Sequence, residues 1–191
     1  MTYLVVAVIL WSLIHFIPAS AVEFRAGLIK RFGLPAYKGL FSVLAGGALL
    51  LIIFNWGSAS IKPLFVPPSW GAWLTIASSL LAFILFFAPY IDNNLRRLIR
   101  HPQLTGVVVW GLGHLFANGE ARSLVLFGGL AVWAVLQIIL LNRRDGAWQK
   151  PQPAPALADV RLLLTGVGFF AIFMYTHAWL FGVGPVPYLS Q

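Results

Sequence analysis

"SLVLFGGLAVWAVLQIILLNRR", residues 123–144, decides how this chain folds. From Ser123 to Leu141 it carries no charge, and it stops at Arg143 and Arg144. A helix rises 1.5 Å per residue, so about 20 apolar residues cover the ~30 Å hydrocarbon core of a bilayer. The length of this run and its abrupt basic end are those of a membrane-spanning helix.

Working outward, five more apolar runs appear: Tyr3–Val22, Ala36–Phe54, Trp70–Ala88, Gln103–Ala117 and Arg161–Phe181. The run Gln103–Ala117 is short. It is expected to extend backward through Leu98 and Ile99, with Pro102 in its first turn or kinking it. The chain is 60% hydrophobic and 9% charged, against about 45–50% and about 25% in a soluble domain. The expected fold is therefore an all-α polytopic membrane bundle of about six transmembrane helices, a single domain over residues 1–191. "GSASIKPLFVPPS" (57–69) and "DGAWQKPQPAPALAD" (145–159) each hold three prolines and act as breakers between helices.

Lys and Arg are distributed unevenly. Arg25, Lys30, Arg31, Lys38, Arg96, Arg97, Arg100, Arg143, Arg144, Lys150 and Arg161 follow the first, third and fifth runs, and only Lys62 and Arg122 lie on the other side. The positive-inside rule then places both termini on the non-cytoplasmic side of a multi-pass protein of the cell inner (cytoplasmic) membrane. The net charge of +8 reports this topology, and no nucleic acid partner is expected. Ala19-Ser20-Ala21 has the form of a signal-peptidase site, but residues 1–10 carry no Lys or Arg. The first run is expected to stay as a mature helix. The absence of cysteine excludes disulfides, thiolate metal sites, iron–sulfur clusters and covalently attached haem.

Three of the four histidines, His15, His114 and His177, lie inside apolar runs, where ionisable side chains usually face the bundle interior and mark function. Neutral imidazole is also the commonest side-chain metal ligand. "WSLIHF" (11–16) and "WGLGHLF" (110–116) share W-x-L-x-H. That spacing puts Trp11 beside His15 and Trp110 beside His114, one helical turn apart. The two runs cross in opposite directions, as an inverted three-plus-three repeat would require. Gly106, Trp110, Gly113, His114 and Ala117 form one stripe, with Gly111 close by. Two readings of these glycines stay open: close helix packing, or room for a flat macrocycle beside the imidazole. Gly166, Phe170, Phe173 and His177 form a comparable stripe. His101, among Arg96, Arg97 and Arg100, is explained by a helix start or a headgroup contact.

"RHPQLTGVVVWGLGHLFANGEARSLVLFGG" (100–129), with "WSLIHF" and "GLPAYKGLFSVLAG" (33–46), resembles the NnrU family of bacterial membrane proteins. The likeness runs to about Trp133. It implies an association with denitrification and nitric oxide metabolism. It also implies kinship with plant and cyanobacterial 15-cis-zeta-carotene isomerase, which binds non-covalent haem b through histidines. Carried over by motif, the haem ligands fall on His15 and His114. The isomerase cysteine three residues before the second ligand is Gly111 here, so a cysteine-based ligand switch is impossible.

Depth raises a competing pair. His15 lies on the cytoplasmic side of its run's midpoint and His114 on the outer side of its own, roughly 10 Å apart along the membrane normal. His177 lies near the depth of His114, so the second ligand is His15 by resemblance or His177 by geometry. Trp11, Trp110, Phe170 and Phe173 would surround the ring, and Arg25, Lys38 and Arg100, or Arg122 on the outer side, would meet its propionates. The leading function is a membrane haem b protein with a redox, nitric-oxide-related or isomerase-like role, taking a small lipophilic or gaseous ligand. The alternative is a non-catalytic accessory or assembly factor for denitrification enzymes. A transporter is the third reading, weakened by the lack of an intramembrane charge. The five carboxylates, Glu23, Asp92, Glu120, Asp145 and Asp159, lie in loops or at span ends, so no hydrolase site is expected.

Overall fold

The computed structural model describes residues 1–185, and in it each of the six apolar runs becomes a helix. The helices are α1 (Thr2–Ser20), α2 (Val22–Phe32), α3 (Leu34–Trp56) and α4 (Gly71–Phe87), then α5 (Pro102–Leu115), α6 (Ala121–Asp145) and α7 (Ala156–Phe181). Five of them, α1, α3, α4, α6 and α7, are long and apolar enough to cross a membrane. No strand forms among the described residues, so the fold is the expected all-α membrane bundle.

The helix α5 departs from expectation. It has 14 residues, about 21 Å of rise, short of the ~30 Å core. The backward extension through Leu98 and Ile99 does not form. Pro102 crowds the residue before it out of the helical region, and His101 sits at φ −123°, ψ 69°. Pro102 itself takes the first helical position, where its missing N–H costs nothing. A short helix in a bilayer needs its non-helical ends covered by protein. At its C-terminal end the loop of residues 57–70 supplies that cover. Leu64 and Phe65 donate their N–H groups to the Gly119 carbonyl at 2.8 and 3.3 Å, and Ala121 donates to the Lys62 carbonyl at 2.9 Å. Gly119 must be glycine there, because a Cβ would run into the Phe65 carbonyl.

The helix α2 forms in the basic segment between the first two runs, where a loop is expected. Phe24, Leu28 and Phe32, at i, i+4 and i+8, share one side of it, while Glu23, Gly27 and Lys30 share the other and Arg31 stands at the border, over the Phe32 ring. This is the pattern of a helix lying in the interface plane rather than crossing it. Its 11 residues are too few to cross the bilayer core.

Packing puts the crossing helices in a definite order. α3 packs on α1, α1 on α6, α6 on α5, α5 on α4, and α4 on α7. The helix α6 therefore stands between the two helices that carry W-x-L-x-H. Near its start, Leu124–Gly128 winds as a π-helix. Such turns are rare and frequently mark functional sites.

Candidate functional site

Each intramembrane histidine is tied to a backbone carbonyl close by in the chain. In α1, His15 Nδ1 lies 2.8 Å from the Trp11 carbonyl oxygen; in α5, His114 Nδ1 lies 2.9 Å from that of Trp110. In α7, His177 Nδ1 lies 2.8 Å from the Val183 carbonyl oxygen, just past the helix. A carbonyl can only accept, so Nδ1 carries the proton in each case. Neutral imidazole then leaves Nε2 with a free lone pair, the arrangement that prepares a histidine as a metal ligand. His101 is different: its Nε2 meets Asn142 Oδ1 at 3.0 Å and is occupied.

The two W-x-L-x-H motifs build the same local shape. The indole and imidazole rings are 4.1 Å apart for Trp11 and His15, and 4.9 Å apart for Trp110 and His114. The helix α6 then presents one aromatic to each. Trp133 lies edge-on to His15 at 5.2 Å, with Phe41 of α3 at 5.3 Å. Phe127, from the π-helical stretch, stacks on His114 at 4.5 Å and meets Trp110 edge-on at 4.9 Å.

This separates His15 from His114. Phe127 and Trp133 lie six residues apart on α6, about 9 Å along its axis. The structure does not bring the pair favoured by resemblance to one point; each ring has its own aromatic pocket. His114 and His177 lie closer in depth. Thr75 of α4 donates to the Gly113 carbonyl at 2.7 Å, which places His114 beside the first half of α4. Phe173 packs on Phe83 at 5.0 Å, so His177, one turn further along the antiparallel α7, draws level with Ser79.

The glycines settle as packing residues. A Cβ on Gly106 would sit 3.1 Å from the Ala82 carbonyl oxygen of α4, and one on Gly111 would sit 2.6 Å from the Phe127 carbonyl oxygen of α6. The space beside Gly113 is filled by Ser78. The second reading, a flat slot beside the imidazole, is not what these glycines provide.

Of the cations expected to meet propionates, Arg100 and Arg122 stand apart, while Arg25 and Lys38 line one pocket. Arg100 donates to the Gly146 carbonyl at 2.8 Å on the basic face, away from the histidines. Arg122 is held by Glu120 at 2.6 Å and lies over the Trp56 ring at 4.6 Å. Arg25 lies over the Tyr37 ring at 5.5 Å, and Lys38 makes no ion pair among the described residues. No group of three or more His, Cys, Asp or Glu converges on a metal-sized point among the described residues.

Several site residues escaped the sequence reading. Trp133 and Gln137 are each 7% exposed and stand one turn apart on α6. Trp11 Nε1, Trp133 Nε1 and Gln137 Oε1 are buried without a hydrogen-bond partner. The rings of Trp11, Trp133 and His15 cluster within 5.5 Å of one another, with Gln137 one turn beyond Trp133. Gln137 was legible as the lone amide in an apolar run, since polar groups within spans are expensive and rarely idle. Between α1 and α6 an open apolar groove of about 500 Å³ runs along Val8, Ser12, Phe16, Gly129, Val132 and Trp133.

No curated protein and no solved structure matches this chain. The family model described as NnrU protein matches residues 3–185. That match covers both W-x-L-x-H motifs and continues through α7 with His177, well past the stretch on which the resemblance first rested. The chain belongs to the NnrU protein family.

Proposed function

We propose that this protein is a multi-pass inner-membrane protein that holds haem b, with His114 as its anchoring ligand and a redox or nitric-oxide-related role in denitrification. One observation carries the reading: three intramembrane imidazoles have Nδ1 tied to a backbone carbonyl, which frees Nε2. His177 is the second ligand that depth favours, while His15 remains the one that family resemblance favours. When bound, haem b would supply one-electron chemistry and gas binding. The chain's own part is to orient the rings and exclude water. Trp110 and Phe127 clamp His114 in one orientation, and α4 seals its helix through Ser78 and Thr75.

The test is the visible spectrum of detergent-purified protein expressed with ample haem, oxidised and dithionite-reduced. A Soret band with b-type α and β bands that collapse in His114→Ala supports the proposal. His177→Ala and His15→Ala then assign the second ligand, and His101→Ala leaves the bands unchanged. A folded, colourless protein that takes up no added haemin refutes it. That result would support the second reading, an accessory factor for denitrification enzymes. The closely filled glycine contacts favour that reading, because they make the histidine stripe a packing surface.

A further inference from the structure

On the basic face, one turn beyond His15, a pocket of about 400 Å³ opens between the end of α1, α2 and the start of α3. Pro18, Leu34 and Phe41 form its apolar wall, and Arg25, Tyr37 and Lys38 form its polar one. Arg25 is a basic residue of α2 that departs from the polar side. Its position on the helix turns it inward, over the Tyr37 ring at 5.5 Å. The Tyr37 hydroxyl is buried and has no hydrogen-bond partner. Among the described residues no carboxylate pairs with Arg25 or Lys38; the ion pairs involve Asp92, Glu120 and Asp145 instead. Two unpaired cations and an orphan phenol around one pocket call for an anion with several acceptor oxygens.

The surroundings identify its source. Phe24 and Phe32 of α2 are 59% and 58% exposed. They mark the level at which an interfacial helix seats its apolar side below the headgroups. An anion held at that depth against Leu34 and Phe41 must carry an apolar body. We infer that this pocket binds the phosphodiester headgroup of an anionic phospholipid, between Arg25, Lys38 and the Tyr37 hydroxyl, with the upper acyl chain against Leu34 and Phe41.

The test uses the full chain in detergent and reads bound lipid by native mass spectrometry after exposure to equal phosphatidylglycerol and phosphatidylcholine. The expected result is a several-fold preference for phosphatidylglycerol. Arg25→Gln with Lys38→Gln abolishes it, and Tyr37→Phe weakens it. The control Lys30→Gln with Arg31→Gln, on α2 but outside the pocket wall, keeps it. Circular dichroism confirms that each variant is folded. Three results would overturn the inference: no preference, equal loss in the control pair, or displacement of the lipid by millimolar inorganic phosphate. Displacement by haemin would also overturn it, and would give the two cations to haem propionates instead. Because the readout is lipid, failure here leaves the haem spectrum untouched, and a colourless protein leaves this site intact.

Discussion

Replacing Gly111 by alanine tests the central contact of the bundle. The new Cβ would lie 2.6 Å from the Phe127 carbonyl oxygen and 3.2 Å from Ala131 Cβ, where ordinary contact begins at 3.4 Å. The carbonyl is backbone and cannot rotate away, so α5 and α6 must part by the 0.8 Å between 2.6 and 3.4 Å. Overpacking of this kind costs about 1–3 kcal/mol. Alanine offsets about 1 kcal/mol of that through helix propensity, leaving a net loss of about 0–2 kcal/mol. At about 2–4 °C per kcal/mol for a chain of this size, Tm should fall by up to about 8 °C. Gly106→Ala meets only 3.1 and 3.2 Å contacts and should fall in between. Gly168→Ala meets no atom within 4 Å and keeps only the propensity gain. The assay is thermal unfolding in one detergent, followed by tryptophan fluorescence and checked by size exclusion. If Gly111→Ala melts at or above Gly168→Ala, the close approach of α5 to α6 is wrong. The packing reading of the glycine stripe would fall with it.

Two further outcomes follow from particular residues. Gln137→Leu removes a buried acceptor without a partner. Since such an orphan costs about 1–3 kcal/mol, the variant should be more stable by about 1 kcal/mol in the same melt; a clear loss would mean that the amide holds something polar inside the bundle. The chain has no cysteine, so Ser58→Cys and Gln152→Cys report orientation directly. A membrane-impermeant maleimide on intact cells should label Ser58→Cys and spare Gln152→Cys, and the reverse pattern would invert the topology drawn from the basic residues.

What the amino-acid order determined by itself was what depends on neighbours along the chain. Six helices were legible because hydrocarbon demands unbroken apolar length, and the limits of Thr2–Ser20 and Leu34–Trp56 lie within two residues of their runs. The intramembrane histidines were legible for the same reason, since imidazole is costly in lipid. Two local errors have physical causes. The expected start of α5 ignored the crowding of the residue before Pro102, and α2 was passed over because an interfacial helix has a stripe rather than a run.

Only tertiary structure could decide what depends on neighbours across helices. W-x-L-x-H places Trp11 by His15 and Trp110 by His114 through helical spacing alone. That Trp133 and Phe127 complete the two pockets, about 9 Å apart, depends on α6 standing between α1 and α5. The glycines near His114 suited a packed contact and an open slot equally well. The choice required knowing that backbone of α4 and α6 already fills the space beside Gly106 and Gly111. Likewise, Arg25 and Lys38 are ordinary positive-inside residues until α2 folds back and turns one of them over Tyr37. Spacing in sequence fixes which residues share a helix face, whereas the interhelical contacts that set register, depth and enclosure are made between residues far apart in the chain.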